Sequence, residues 1–405
     1  MKTLLSTMII LISLCTSSPA AQLNLGAIFE LKGSNNATAQ EAMNGALLAV
    51  KKINKTKPQA PVKLTLESTD GNPLTIIKAV NKLTSQEKFS AVTGIINTDT
   101  ALTAAPAFQT ANIPYLSTGA QADGMADSIG SNIFTLAVPD IRTGQIIAEF
   151  TTNTLQTENI VLISSNLNDS TARQADSFAR RFKQNNGKIM AEMRITENDP
   201  DFSFIVNKIK ELAPKITDNS TVVNEEMGAA DFDDTGAVIV TQKRDIPPAQ
   251  PEVEAIVIFA PPAASAKLLT LFKEKDITYQ IIAGTSFDTV SMRQPLNEWP
   301  ETVYYASQAS LSRENKLVKS FIEAYTELFG QKPVTGYAAL GFDSIMLLAA
   351  AGEKETSTTI GKGLQSITDF EGVSGKISFR GRSAQKPLYI IESKSGQNSL
   401  AAELE

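Results

Sequence analysis

The chain contains no histidine and a single cysteine. The missing imidazole removes the commonest general base and metal ligand, and with it most hydrolase triads and zinc sites. The one thiol, Cys15, falls within an N-terminal leader, so the remaining chain is expected to carry no disulfide and no thiol chemistry. No stripe of basic residues with interleaved aromatics is present, and the formal charge is -6, so nucleic acid is not an expected partner. A long apolar run is missing too. The N-terminal run "LLSTMIILISL" is too short to span a bilayer.

What is present is ordinary globular composition, with 42% hydrophobic and 20% charged residues over 405 positions, a length that favours two domains. Lys2, the short apolar run and the small residues "SSPAA" make residues 1–20 read as a secretory signal cleaved near Ala20. Cys15 raises a rival, lipid attachment, but Leu14 stands where that signal needs a small residue. A soluble periplasmic protein is the expectation, with lipid anchoring at Cys15 as the alternative. Export without disulfides suits a bacterial envelope.

The segment Ala91–Ala122, "AVTGIINTDTALTAAPAFQTANIPYLSTGAQA", organises the rest. It reads as strand, polar turn, helix, strand, polar turn, with Asn97, Thr98, Asp99 and Thr100 supplying side chains that cap a helix N-terminus. Free N–H groups and the helix dipole there favour an anion such as a carboxylate. If the two strands are parallel neighbours, the second turn, Ser117–Gln121, lies beside the first, where open α/β sheets bind ligands.

Around it, strand patterns at Leu23–Leu31, Val62–Ser68, "NIFTLAVPD", "NIVLISS", "KIMAEMRI", "EAIVIFA" and "YQIIAGTS" alternate with helical spacing. The first helix carries Ala42, Met43, Ala46, Leu47, Val50 and Ile53 as its apolar set; others are expected near 142–152, 170–184, 202–212, 263–274, 314–329 and 337–351. This rhythm predicts an α/β fold of two doubly wound parallel sheets. The segment from about 214 to 254 breaks it with Glu225, Glu226, Asp231, Asp233, Asp234 and several prolines, and reads as a solvated loop or small hairpin, with partner docking as the alternative. Its "DFDDTG" lacks the ligand spacing of a calcium loop. "SQEK" at 85–88 fits Ser-x-x-Lys without its companion motifs, so no catalysis is expected.

The motifs "LNLGAIFELKGSNNATAQEAMNGALLAVKKIN", "ESTDGNPLTIIKAVNKL", "AVTGIINTDTALTAAPAFQTANIPYLSTGA", "FTLAVPDIRTG", "GYAALGFDSIMLLAAA" and "FEGVSGKISF" together resemble type 1 periplasmic solute-binding proteins of the leucine/isoleucine/valine class. The resemblance implies two flavodoxin-like lobes joined by a three-segment hinge: 21–140 with 308–379, and 141–307 with 380–405. A small polar, amino-acid-like solute would be trapped between them for an ABC permease of the inner membrane, by a monomer without cofactor or metal. It implies that Thr98 binds the solute's α-carboxylate, supported by Asn97 and Thr100, and that Ser117 and Ala120 act from the second turn. Gln121 replaces a usual Thr or Ser. In the second lobe Asp169, beside Ser170, stands where an aromatic is frequent; Ser286 aligns with an ammonium-pairing acid, with Asp288 two residues on; Pro262 replaces another aromatic. Thr38 takes the place of a Trp, and Tyr337 offers an aromatic wall. From the residues alone, Thr98 and Asp169 also read as helix caps, Asp288 as a turn residue, Tyr337 as core and Gln121 as loop surface. An envelope scaffold or cell-wall synthase regulator that kept the fold without transport is the competing function.

Overall fold

The computed structural model describes residues 22–33, 36–86, 88–167, 169–196, 198–199, 201–212, 252–354 and 360–405. The expected leader with Cys15, the core of the irregular segment (213–251) with "DFDDTG", and part of "SQEK" lie outside the described residues.

In chain order the elements are β1 (Leu23–Phe29), α1 (Asn36–Thr56), β2 (Val62–Ser68), α2 (Pro73–Gln86), β3 (Ala91–Gly94), α3 (Thr98–Thr110), β4 (Tyr115–Ser117), α4 (Met125–Ile129) and β5 (Ile133–Thr135). Next come α5 (Asp140–Glu149), β6 (Asn159–Ser165), α6 (Ser170–Gln184), β7 (Lys188–Ile195), α7 (Ser203–Leu212), β8 (Ala255–Phe259), α8 (Pro262–Glu274), β9 (Gln280–Ala283), α9 (Arg293–Glu298) and β10 (Val303–Ser307). The last are α10 (Lys316–Phe329), α11 (Gly336–Lys354), α12 (Ile360–Gln365), β11 (Phe370–Gly372), β12 (Gly375–Arg380), β13 (Ser383–Gln385), β14 (Leu388–Lys394) and β15 (Gln397–Leu404).

These elements form two compact units, and the chain passes from one to the other three times. The first takes its described residues from Met1–Ala137 and Glu314–Lys386, the second from Val138–Arg313 and Pro387–Glu405. The first unit's sheet runs β11-β12-β13-β5-β4-β3-β1-β2, and the second's runs β15-β14-β10-β9-β8-β6-β7. Both centres are parallel, as the alternation predicts, but each sheet ends in antiparallel strands. β8, "AIVIF", is buried along its whole length, the continuous apolar run of a parallel strand covered on both faces. β15 is polar and exposed along much of its length, which is why no apolar alternation announces it.

Helix α1 turns a different face inward from the one its large apolar residues suggest. Ala42, Ala46, Leu48, Ala49 and Ile53 are buried together with Glu41, Asn44 and Gly45, whereas Met43, Leu47 and Val50 are half-buried. The reason is close packing on α11. A Cβ on Gly45 would stand 1.9 Å from the Ala338 carbonyl oxygen, and one on Gly341 would stand 1.9 Å from that of Ala42. The Glu41 carboxylate accepts from the Val334 and Thr335 amides and the Thr335 hydroxyl, fixing the entry to α11.

Candidate functional site

In the first unit the order β2-β1-β3-β4-β5 reverses direction between β1 and β3, the switch point where α/β sheets bind ligands outside the carboxyl ends of their strands. Gly94 closes β3 with φ +96, and a Cβ there would meet the Ile28 carbonyl oxygen at 2.1 Å, so only glycine fits. Ile95 follows at φ 49, a left-handed conformation that a β-branched residue rarely adopts. The strain is held by hydrogen bonds from the Ile95 amide to the Ile28 carbonyl (2.7 Å) and from the Gly119 amide to the Ile95 carbonyl (3.3 Å). Backbone strain of this kind concentrates at functional sites.

Asn97 is the N-cap of α3: its Oδ1 accepts from the Asp99 amide at 2.9 Å and the Thr100 amide at 3.1 Å. Thr98, the first helical residue, is buried, and its hydroxyl accepts from the Gln121 amide at 3.1 Å. That bond joins the two polar turns, and the hydroxyl retains its own hydrogen to donate elsewhere. The Ala120 amide donates to the Ser117 hydroxyl at 3.2 Å, and Ala120, Ser117 and Gln121 are buried. Tyr337, at the start of α11, packs its ring against Gly119 so closely that a Cβ there would lie 2.9 Å from it. Thr38 is buried in the first turn of α1.

The residue that sequence reasoning missed is Glu30, just after β1. It is buried, and its carboxylate accepts from the Ile96 and Asn97 amides, both at 3.3 Å. Burial pushes its carboxyl above the ordinary carboxylate range, against the lowering by the Ile96 amide, the Thr100 hydroxyl and the Asn97 amide. The only signal was its position: an acid near the end of an apolar strand pattern, three residues before the Gly33-Ser34 break. Glu30 also lines a pocket of about 340 Å³ over the ends of β1, β2 and β3, which it shares with Lys32, Asp70, Asn97, Asp99 and Thr100.

In the second unit Asp169 is the N-cap of α6, accepting from the Ala172 amide (2.9 Å) and from the Thr171 and Ser165 hydroxyls (2.7 and 2.8 Å). Ser170 instead donates to Asp140 at 2.5 Å. Asp140 is fully buried and also receives Gln174 and Arg173, each at 2.9 Å; burial outweighs these partners and pushes its carboxyl up to about 6. Asp288 pairs with Arg293 at 3.1 Å and accepts from the Ser307 hydroxyl at 2.6 Å, so it ties the loop after β9 to β10. The Ser286 hydroxyl oxygen is buried without a hydrogen-bond partner among the described residues. Pro262 opens α8.

Among the described residues no group of acidic, histidine or cysteine side chains is placed to hold a metal, and no helix is long and apolar enough to cross a membrane.

No curated protein matches the chain significantly. Solved structures do match its fold. LivJ from Streptococcus pneumoniae, in complex with isoleucine, aligns with TM-score 0.76 and 23% identity over 95% of this chain and 99% of its own. The leucine-binding protein LivK from Thermotoga maritima aligns with TM-score 0.75 and 18% identity over 95% and 99%. A solute-binding protein of an ABC transporter from Rhodopseudomonas palustris, in complex with 3,4-dihydroxybenzoic acid, aligns with TM-score 0.72 and 19% identity over 95% and 97%. A family model described as "Periplasmic binding protein" matches residues 22–398, nearly the whole chain. The chain therefore belongs to the periplasmic binding protein family.

Proposed function

We propose that the chain is the extracytoplasmic solute receptor of an ABC importer. It would hold a small polar solute between its two units and do no chemistry. The observation that carries this reading is the Thr98 hydroxyl, which accepts from the Gln121 amide and keeps its own hydrogen for a further acceptor. A solute carboxylate is such an acceptor, and both isoleucine and 3,4-dihydroxybenzoic acid, the ligands of two proteins of this fold, carry one. Family membership supports a periplasmic location and an inner-membrane permease as partner.

In this reading the solute gains contacts with both units only when they close, so it favours the closed form by its differential affinity. Glu30 sets a restriction on the solute. Its carboxylate already takes the Ile96 and Asn97 amides, so a solute carboxylate placed beside Glu30 would meet a like group instead of free N–H donors. The solute's carboxylate is therefore assigned to Thr98, and any group placed toward Glu30 is a donor, such as an amine or hydroxyl.

The test is a thermal-shift screen of protein stripped by unfolding and refolding, against L-amino acids, amides and aromatic carboxylates. Binding stabilises by mass action, so a cognate solute raises the melting point in proportion to the logarithm of its concentration. Absence of a shift across the panel contradicts the receptor reading.

A further inference from the structure

A second cavity lies away from the switch point, within the first unit. It is a groove of about 330 Å³ between α1 and α10. Its floor is apolar, with Leu48, Phe321 and Phe342 all buried. Phe321 and Phe342 meet edge to face at 5.3 Å. One wall is made by Lys51, Lys52 and Lys55, all exposed. Lys52, though exposed, holds its ammonium 5.4 Å from the centre of the Phe342 ring.

Lys51 and Lys55 are an i, i+4 pair of like charges, an arrangement that costs helix stability. Among the described residues neither they nor Lys52 takes part in an ion pair, although neighbouring Lys57 is paired with Glu353. Glu327 is the single carboxylate lining the groove. Three uncompensated ammonium groups beside an apolar trough are complementary to one chemistry: a long apolar tail ending in an anion. The volume is that of a small-molecule site.

We propose that the α1/α10 groove is a second ligand site, one that takes a single-chain aliphatic carboxylate. Its tail lies over Leu48, Phe321 and Phe342, and its carboxylate meets the Lys51, Lys52 and Lys55 ammonium groups. This site is independent of the solute site at the switch point.

The experiment is calorimetric titration of the full chain with decanoate and with decanol as an uncharged control, followed by photo-crosslinking with a diazirine-bearing decanoate. Decanoate is expected to bind with Kd near or below 100 µM, about tenfold more tightly than decanol. The triple variant Lys51→Glu, Lys52→Glu, Lys55→Glu should weaken decanoate about tenfold or more and leave decanol unchanged. Ala324→Phe, which fills the groove from α10, should weaken both. Crosslinks should fall within 48–56 and 317–327. Circular dichroism checks that each variant is folded. Failure of decanoate to bind below about 1 mM, equal binding of decanol, or binding untouched by both variants would overturn the proposal; crosslinks at the switch point instead would assign the ligand to the solute site.

Discussion

Asp140 gives the most quantitative prediction. It is fully buried, and its carboxyl rises from an ordinary 3.8 to about 6 because burial outweighs Ser170, Gln174 and Arg173. Between these two values the unfolded chain has released the proton while the folded one retains it. Folding stability therefore falls as pH rises through that window and is flat above it. At about 1.36 kcal/mol per pKa unit the full loss is about 3 kcal/mol. Asp140→Asn is neutral throughout, so its stability relative to the parent should rise by up to this amount between pH 4 and pH 7. Any constant cost of placing an amide beside Gln174 and Arg173 cancels in the pH dependence. The assay is urea denaturation followed by tryptophan fluorescence, because the single tryptophan, Trp299, is buried in the same unit as Asp140. A stability difference that is constant with pH, or that shrinks as pH rises, refutes the assignment of burial as the dominant cause.

Three further outcomes follow from the contacts. Thr98→Val removes the hydroxyl that accepts from the Gln121 amide together with its own donor; solute affinity and stability should each fall by about 1–3 kcal/mol, read by calorimetry and melting. Gly45→Ala drives a methyl into the Ala338 carbonyl and should destabilise the first unit by roughly 3 kcal/mol or more, seen as a lower melting transition with Trp299 fluorescence little changed. Asp169→Ala uncaps α6 and should cost about 1 kcal/mol, whereas Asp169→Asn should retain most of the cap; denaturation by Trp299 fluorescence separates the two.

The parallel centre of both sheets was legible because buried strands such as β6 and β8 are short apolar runs separated by helical spacing. The cap at Asn97 was legible as well, since a polar turn before a helix has few other uses. What pattern reading missed depended on contacts remote in sequence. α1 buries a face chosen by Gly45 and by α11, nearly 300 positions later, so ranking its residues by size picked Met43, Leu47 and Val50, which are only half-buried. Glu30 is a lone acid in sequence and becomes a partner of the Ile96 and Asn97 amides only when β1 and β3 lie side by side. Likewise the bond from Ser170 to Asp140, 30 residues back, is a contact that no local pattern announces. The antiparallel strands β11, β13 and β15 are short or polar, and their pairing is set by neighbours and not by their own periodicity.

The receptor account turns on solute-driven closure of the two units, and a distance measurement tests it most directly. Labels placed on the exposed positions Lys78, in the first unit, and Asn207, in the second, report their separation by single-molecule energy transfer. With a solute found in the thermal-shift screen, the distribution should move to one shifted population at saturation, and Thr98→Val should need a higher solute concentration for the same change. A solute that stabilises the protein yet leaves the distribution unmoved would contradict the account.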